Sequence, residues 1–245
     1  MSGHSKWHNI QMKKGKTDAA RAKIFTKIGR EIAIAVKAGG PDPALNAKLR
    51  DVVSKAKANN MPNDNIQRSI KKAAGEGQGE NYKEVTYEGY GPAGTAIIVD
   101  CITDNLNRTA SDVRHCFEKH GGSLGATGCV SWMFDRKGII VIDGEGLDED
   151  EVMMDALEAG AADVAFNDGY FEIETDPNDV ATVSEALEGK YKLESAEATL
   201  VPQNTTDPAG DDLERLQKIL DMLEELDDVN EVSHNANLPE EDDEE

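Results

Sequence analysis

GIIVIDGEGLDEDEVMMDALEAG (138–160), ADVAFNDGYFEIET (162–175), PNDVATVSEALEG (177–189) and KLESAEATLV (192–201) are the four consecutive stretches whose order decides the fold. The first opens on an unbroken apolar run and passes into residues with helical spacing, so it reads as a strand followed by a helix. Asn-Asp-Gly at 167–169 turns one short strand back on the next. Pro177 opens a second amphipathic helix, and the last stretch alternates like a half-buried strand. The order is βαββαβ, the ferredoxin-like arrangement, and it closes on itself.

After it come one helix (Leu213, Leu216, Ile219, Leu220, Leu223, Leu226) and one strand, VNEVSHN (229–235). A lone helix and strand cannot bury their own apolar faces. Before it, strands read at 84–89 and 95–103, a helix at about 108–120 ended by Gly121-Gly122, and a strand at 128–134. That β-β-α-β segment lacks an α-β completion of this kind. The 136–204 unit is therefore expected to be inserted into a second α+β domain built from 82–135 and 205–237.

Three short amphipathic helices precede both domains. Ile24, Phe25, Ile28, Ile32 and Val36 mark the first, which Gly39-Gly40 stops. Asp42 as cap and Pro43 in the first turn open the second, with Leu45, Leu49, Val52, Val53 and Ala56 inward. Pro62 opens the third, with Ile66, Ile70 and Ala73 on one face. GEGQGEN (75–81) reads as a linker and residues 238–245 as a solvated acidic tail. The expected fold class is α+β multidomain: a basic arm plus three-helix domain over 1–77, then two ferredoxin-like-type α+β domains, the third inserted into the second.

Charge is segregated along the chain. The formal net charge is −22, yet residues 1–72 hold 16 Lys/Arg and 5 Asp/Glu, and the rest 10 and 43. A concentrated basic segment on an acidic body suggests a module for a polyanion. The opening GHSKWHNIQMKKGKTDAARAK (3–23) carries six Lys/Arg against one Asp, with Trp7, His4 and His8. Lys and Arg neutralise phosphates, and an aromatic ring stacks on a base. Trp7 has a second reading, as a staple packed on the first helix. The candidate nucleic-acid-binding residues are His4, Lys6, Trp7, His8, Lys13, Lys14, Lys16, Arg21, Lys23, Lys27, Arg68, Lys71 and Lys72. A second candidate surface, Asp104, Asn105, Asn107 and Arg108, crowds a strand-to-helix junction where exposed N–H groups could hold a phosphate. Asn107 or Thr109 could instead simply cap that helix.

Two enzyme patterns fail on context. GYGPAG (89–94) fits a dinucleotide fingerprint, but a strand follows it rather than a helix, so it reads as a hairpin turn. GGSLG (121–125) fits a nucleophile elbow, but it runs helix, Ser123, strand, the reverse of what a serine hydrolase requires. Neither His4/His8 nor the remaining histidines have a third metal ligand at workable spacing. No metal, cofactor or small-molecule substrate is expected. Cys101, Cys116 and Cys129 lack CxxC spacing and read as buried thiols of a reducing compartment. No apolar run is long enough to span a bilayer, so a cytoplasmic protein with no membrane partner is expected.

GHSKW (3–7), AGGPDP (38–43), NMPNDNI (60–66), YEGYGPAG (87–94), TDNLNRT (103–109) and GGSLGATGCVSWMF (121–134) together resemble the YebC family. That family also includes the mitochondrial translational activator of cytochrome c oxidase subunit I. The resemblance implies a helical domain followed by two α+β domains, and a non-enzymatic regulator of gene expression. Bacterial members are usually described as cytoplasmic DNA-binding transcriptional regulators, and members have also been linked to the ribosome and to translation of proline runs. On physical grounds the flexible basic arm with glycines and an aromatic fits ribosomal RNA, while the third helix, with Gln67, Arg68, Lys71 and Lys72, is a weaker candidate for reading duplex DNA.

Overall fold

The structure, a computed structural model, describes residues 18–75, 81–167 and 169–239. It divides into two compact units: the described residues of 80–135 with those of 201–245, and those of 18–79 with 136–200.

Helices α1 (Asp18–Gly39), α2 (Ala47–Ala58) and α3 (Asn63–Ala74) form the N-terminal bundle. Its core is Ile28, Ile32, Ala35, Val36, Leu49, Val52, Ala56, Met61, Ile66 and Ile70, with Ile24, Phe25, Val53 and Ala73 packed at the edge. The i, i+3/i+4 spacing puts these residues on one stripe of each helix, except Met61 in the α2–α3 connection, and each large one contributes about 1.5–3 kcal/mol on burial.

Two boundaries differ from the sequence expectation. Helix α2 begins at Ala47, not after Asp42, and Leu45 is 84% exposed rather than inward. Asp42 instead closes a turn, its carboxylate accepting from Ala44 N at 2.9 Å. The cap is Asn46, whose Oδ1 accepts from Leu49 N at 3.1 Å while Nδ2 donates to the carbonyls of Ala35 and Gly40, both at 2.8 Å. A side chain that caps one helix and satisfies the open end of another wins over one that caps alone.

The first sheet has the order β3-β1-β2-β8, from β1 (Lys83–Tyr90), β2 (Ala96–Thr103), β3 (Ser123–Leu124) and β8 (Val229–His234). β1 and β2 form an antiparallel hairpin pairing Lys83 with Thr103 and Tyr90 with Ala96. The GYGPAG segment is its turn, with Ala93 and Gly94 at φ of 56° and 71°. Helices α4 (Leu106–Lys119) and α7 (Asp211–Glu225) cover one face, sealing Ile97, Val99, Cys101, Val113, Cys116, Phe117, Leu216, Ile219 and Leu223. Helix α4 starts slightly earlier than expected and its cap is Asn105, neither Asn107 nor Thr109.

Between β3 and β8 the chain forms the second sheet, order β5-β6-β4-β7, from β4 (Phe134–Asp143), β5 (Asp163–Asn167), β6 (Tyr170–Thr175) and β7 (Leu193–Pro202). Helices α5 (Glu149–Ala159) and α6 (Val180–Glu188) supply Val152, Ala156, Val183 and Leu187 to a core with Ile140, Ile142, Phe171 and Ile173. The strand expected at 128–134 is absent. That stretch is a loop and the short 3-10 turn Ser131–Met133, and β4 starts at Phe134. The reason lies in Glu88, described next.

Candidate nucleic-acid interface

The basic residues of the bundle lie outside its apolar stripe. Residues 18–75 hold 12 Lys/Arg against 5 Asp/Glu. Arg68, Lys71 and Lys72 are exposed on α3, whose buried face is Ile66 and Ile70. Lys71 and Lys72 occupy the last turn and Asp64 the first, a distribution that also suits the helix dipole. Arg21, Lys23 and Lys27 line α1, Arg21 exposed and the two lysines half-buried along their stems. His4, Lys6, Trp7, His8, Lys13, Lys14 and Lys16 lie outside the described residues.

The second candidate surface is a tied junction. Asp104, Asn105, Asn107 and Arg108 are all exposed at the end of β2 and the start of α4. Asn105 Oδ1 caps the helix by accepting from Arg108 N at 3.1 Å. The Arg108 guanidinium donates to Asp104 Oδ1 at 2.8 Å and to Asp228 Oδ2 at 2.7 Å. Asp228 is buried, and the same oxygen accepts from the hydroxyls of Thr109 (2.8 Å) and Thr103 (3.1 Å). Burial pushes the Asp228 carboxyl up, but the bonds from Arg108, Thr109 and Thr103 outweigh it and hold it below its ordinary value. The same carboxylates raise Arg108. An arginine so engaged has fewer donors left for a phosphate. Asp228 escaped the sequence reading because its partners lie 120 residues away.

A second buried carboxylate organises the loop before β4. Glu88 accepts from the backbone N–H groups of Gly128 (2.7 Å), Val130 (2.9 Å) and Ser131 (2.9 Å). Gly125 N donates to the Glu88 carbonyl at 2.8 Å. Three N–H groups turned toward one carboxylate cannot also serve a strand ladder, which is why 128–134 does not become a strand. Burial raises the Glu88 carboxyl, and these donors together bring it below its ordinary value. Beyond the loop, the Tyr90 hydroxyl and the Trp132 indole N–H both donate to the Cys129 carbonyl, each at 3.0 Å.

The enzyme patterns gain no geometry. Ser123 pairs with Tyr90 on a two-residue strand that follows a helix, so no strand–Ser–helix elbow exists. Among the described residues no His/Cys/Asp/Glu group is arranged to hold a metal ion, and no helix is long and apolar enough to cross a membrane. Cys101 and Cys116 are buried thiols outside any disulfide, and Cys129 is a partly buried one.

A helical bundle followed by two α+β units, with positive charge gathered at the N-terminal end of the chain, is an α+β multidomain layout. Comparison with known families fits this layout: residues 5–76 match the TACO1/YebC protein N-terminal domain and residues 82–236 match the TACO1/YebC second and third domain. The chain belongs to the TACO1/YebC family. It is 58% identical over 242 residues to a probable transcriptional regulatory protein of Clostridium acetobutylicum, covering 98% of each chain. A probable transcriptional regulatory protein of Lactiplantibacillus plantarum is also 58% identical over 242 residues, 98% of this chain and 100% of that one. The crystal structure of a conserved hypothetical protein of Aquifex aeolicus superposes with a TM-score of 0.82 at 45% identity, covering 94% of this chain and 96% of that one.

Proposed function

We propose that this protein is a non-enzymatic, nucleic-acid-binding regulator of gene expression that engages its target through the basic N-terminal arm and the positive faces of the three-helix bundle. The observation that carries the reading is the charge segregation: 16 Lys/Arg against 5 Asp/Glu over 1–72, and 10 against 43 thereafter. The printed names of the relatives, probable transcriptional regulatory proteins, agree with a regulator. An acidic body limits non-specific coating by a polyanion through repulsion, leaving the basic end as the main contact.

RNA, ribosomal RNA included, is favoured over duplex DNA by the composition of the arm, basic with glycines and an aromatic, and the bundle does not offset this. Helices α2 and α3 are joined by residues 59–62, a connection of helix-turn-helix length. A recognition helix reads bases with its N-terminal residues, however, and here the first turn of α3 carries Asp64, while Arg68 sits mid-helix and Lys71 and Lys72 lie in the last turn. That placement suits backbone contact rather than base reading.

The test is salt-dependent binding by the full chain to duplex DNA and to structured ribosomal RNA fragments. With about five phosphates neutralised, log affinity falls against log salt with a slope of roughly −3.5 to −4.5. Deleting residues 2–17 is expected to flatten the slope and weaken binding with the helical content of 18–75 intact. Unchanged binding to both ligands after that deletion refutes the arm as the main contact.

A further inference from the structure

Trp132 is 66% exposed, and Tyr90 beside it is 37% exposed. An indole forgoes a large burial gain when left in water, so its position needs a cause. The loop that carries it is held from below by Glu88, and the ring is fixed by its own N–H on the Cys129 carbonyl. The Tyr90 hydroxyl donates to the same carbonyl at 3.0 Å. The result is an exposed ring tethered by its own N–H, which lowers the rotamer freedom it loses on binding.

The chemistry of the occupant follows from what the ring still offers. Its donor is spent on Cys129, so it has no N–H for the carbonyl of an extended proline-rich peptide. It offers only its π-face, and a nucleobase needs no more than that. Charge adds one local feature. Residues 73–245 contain ten Lys/Arg among 43 Asp/Glu, and five of the ten, Arg108, Arg114, Lys119, Arg215 and Lys218, lie on α4 and α7 beside eight Asp/Glu, so what suits a phosphate is a local cluster and not the net charge of the helices. Lys119, His120, His115 and Lys218 are close enough that the other three depress the His120 imidazole, after its loss of solvation. This cluster borders β3 on the helical side: His120 lies three residues before Ser123, and Ser123 pairs with Tyr90. Val85 and Tyr87 face the helices, so Glu88 and Tyr90 point to the opposite side of the same edge.

We propose that Trp132, flanked by Tyr90, is a stacking platform for an unpaired base of a single-stranded nucleic acid, whose neighbouring phosphates pass over the β3 edge to His115, Lys119, His120 and Lys218. This is a contact separate from the N-terminal arm, and it rests on the nucleic-acid reading above.

The experiment uses the full chain carrying Trp7→Phe, which leaves Trp132 as its sole indole, titrated with a single-stranded RNA oligonucleotide. Saturable quenching of Trp132 emission is expected. In the otherwise native chain, Trp132→Ala should weaken the same oligonucleotide about 5- to 150-fold with the salt slope and Tm unchanged, and Trp132→Phe should retain most of the affinity. Lys119→Gln with Lys218→Gln should instead make the slope shallower by about 1–2. Binding that depends on the arm while Trp132 emission stays silent overturns the platform alone. Binding that depends on Trp132 and survives deletion of residues 2–17 supports the platform and refutes the arm. Quenching by a proline-rich peptide and not by the oligonucleotide, or no oligonucleotide binding at all, also overturns the platform.

Discussion

The guanidinium of Arg108 lies 2.7 Å from Oδ2 of Asp228, an oxygen that also accepts from Thr103 and Thr109. One carboxylate oxygen thereby joins the end of β2, the first turn of α4 and the residue before β8. The backbone strengthens the knot, with Ile102 N donating to the Asp228 carbonyl at 2.8 Å. Removing the acceptor leaves the buried Thr103 hydroxyl without its acceptor and Arg108 without one of its two carboxylate partners, while Thr109 keeps Thr103 Oγ1 at 2.8 Å and the Asn105 carbonyl at 3.0 Å. Asp228→Ala is therefore expected to cost about 1–3 kcal/mol in equilibrium unfolding. Arg108→Ala should lower Tm less, because that side chain is 46% exposed and water can replace it. If Arg108→Ala weakens nucleic-acid binding with Tm unaffected, the junction is a contact surface rather than a tie.

Glu88 makes a prediction with a sign in pH. Its carboxyl is held below its ordinary 4.5 in the folded state, and Asp228 below its ordinary 3.8. Each binds its proton less readily folded than unfolded. The stability they contribute is full above the unfolded values and is lost as pH falls through the lowered folded ones. Glu88→Gln turns an amide toward three N–H donors and should destabilise at pH 7 by about 1–3 kcal/mol. Its unfolding free energy should then decline less steeply below about pH 4.5 than that of the native chain. Parallel acid limbs in the two proteins would show that Glu88 does not carry this dependence.

Asn46 separates capping from bridging. On cap preference alone, Asn46→Asp is nearly neutral, since both residues accept from N3. Here Nδ2 also donates to Ala35 and Gly40, and a carboxylate would face those two carbonyls instead. Asn46→Asp should therefore destabilise the bundle about as much as Asn46→Ala, by about 2–3 kcal/mol. A near-native melting temperature for Asn46→Asp would mean that the bridge to α1 contributes little.

These residues also show what a linear reading can reach. The second sheet and its helices were legible because each element announces itself locally, by a 2- or 3.6-residue period and by Gly or Pro at its ends. Pairing α7 and β8 with the first sheet followed from counting unpartnered apolar faces. The errors came where a distant side chain decided a local outcome. Asp42-Pro43 and Asn46 are both good helix openings in sequence, and only the contact with the end of α1 selects the second. Residues 128–134 have strand-like apolar spacing, but their N–H groups go to Glu88, 40 residues earlier for Gly128. Within the candidate interface the basic residues could be read directly, since charge is a property of the chain. The stacking ring at 132 could not, because exposure of a tryptophan is fixed only by tertiary packing.

The neck of the insert gives the last prediction. Gln203 N donates to the Met133 carbonyl at 2.9 Å, and Gln203 Nε2 to Asp135 Oδ1 at 3.0 Å. The chain therefore leaves the first unit and returns to it at neighbouring positions. The core of the first sheet contains no residue between 125 and 215, and the core of the second contains none outside 140–196. Neither needs the other for burial of its apolar face. Replacing residues 136–200 with a two-residue Asn-Gly turn should keep the Met133–Gln203 pairing and form a hairpin whose twist suits the flanking strands. The shortened chain is expected to unfold cooperatively, with the near-ultraviolet signal of Tyr90 and Trp132 retained. Closing a short turn in place of a 65-residue excursion also lowers the loop entropy, so the first unit should be no less stable than before. Loss of the cooperative transition, with helical content falling by more than α5 and α6 account for, would show that the two cores fold only together.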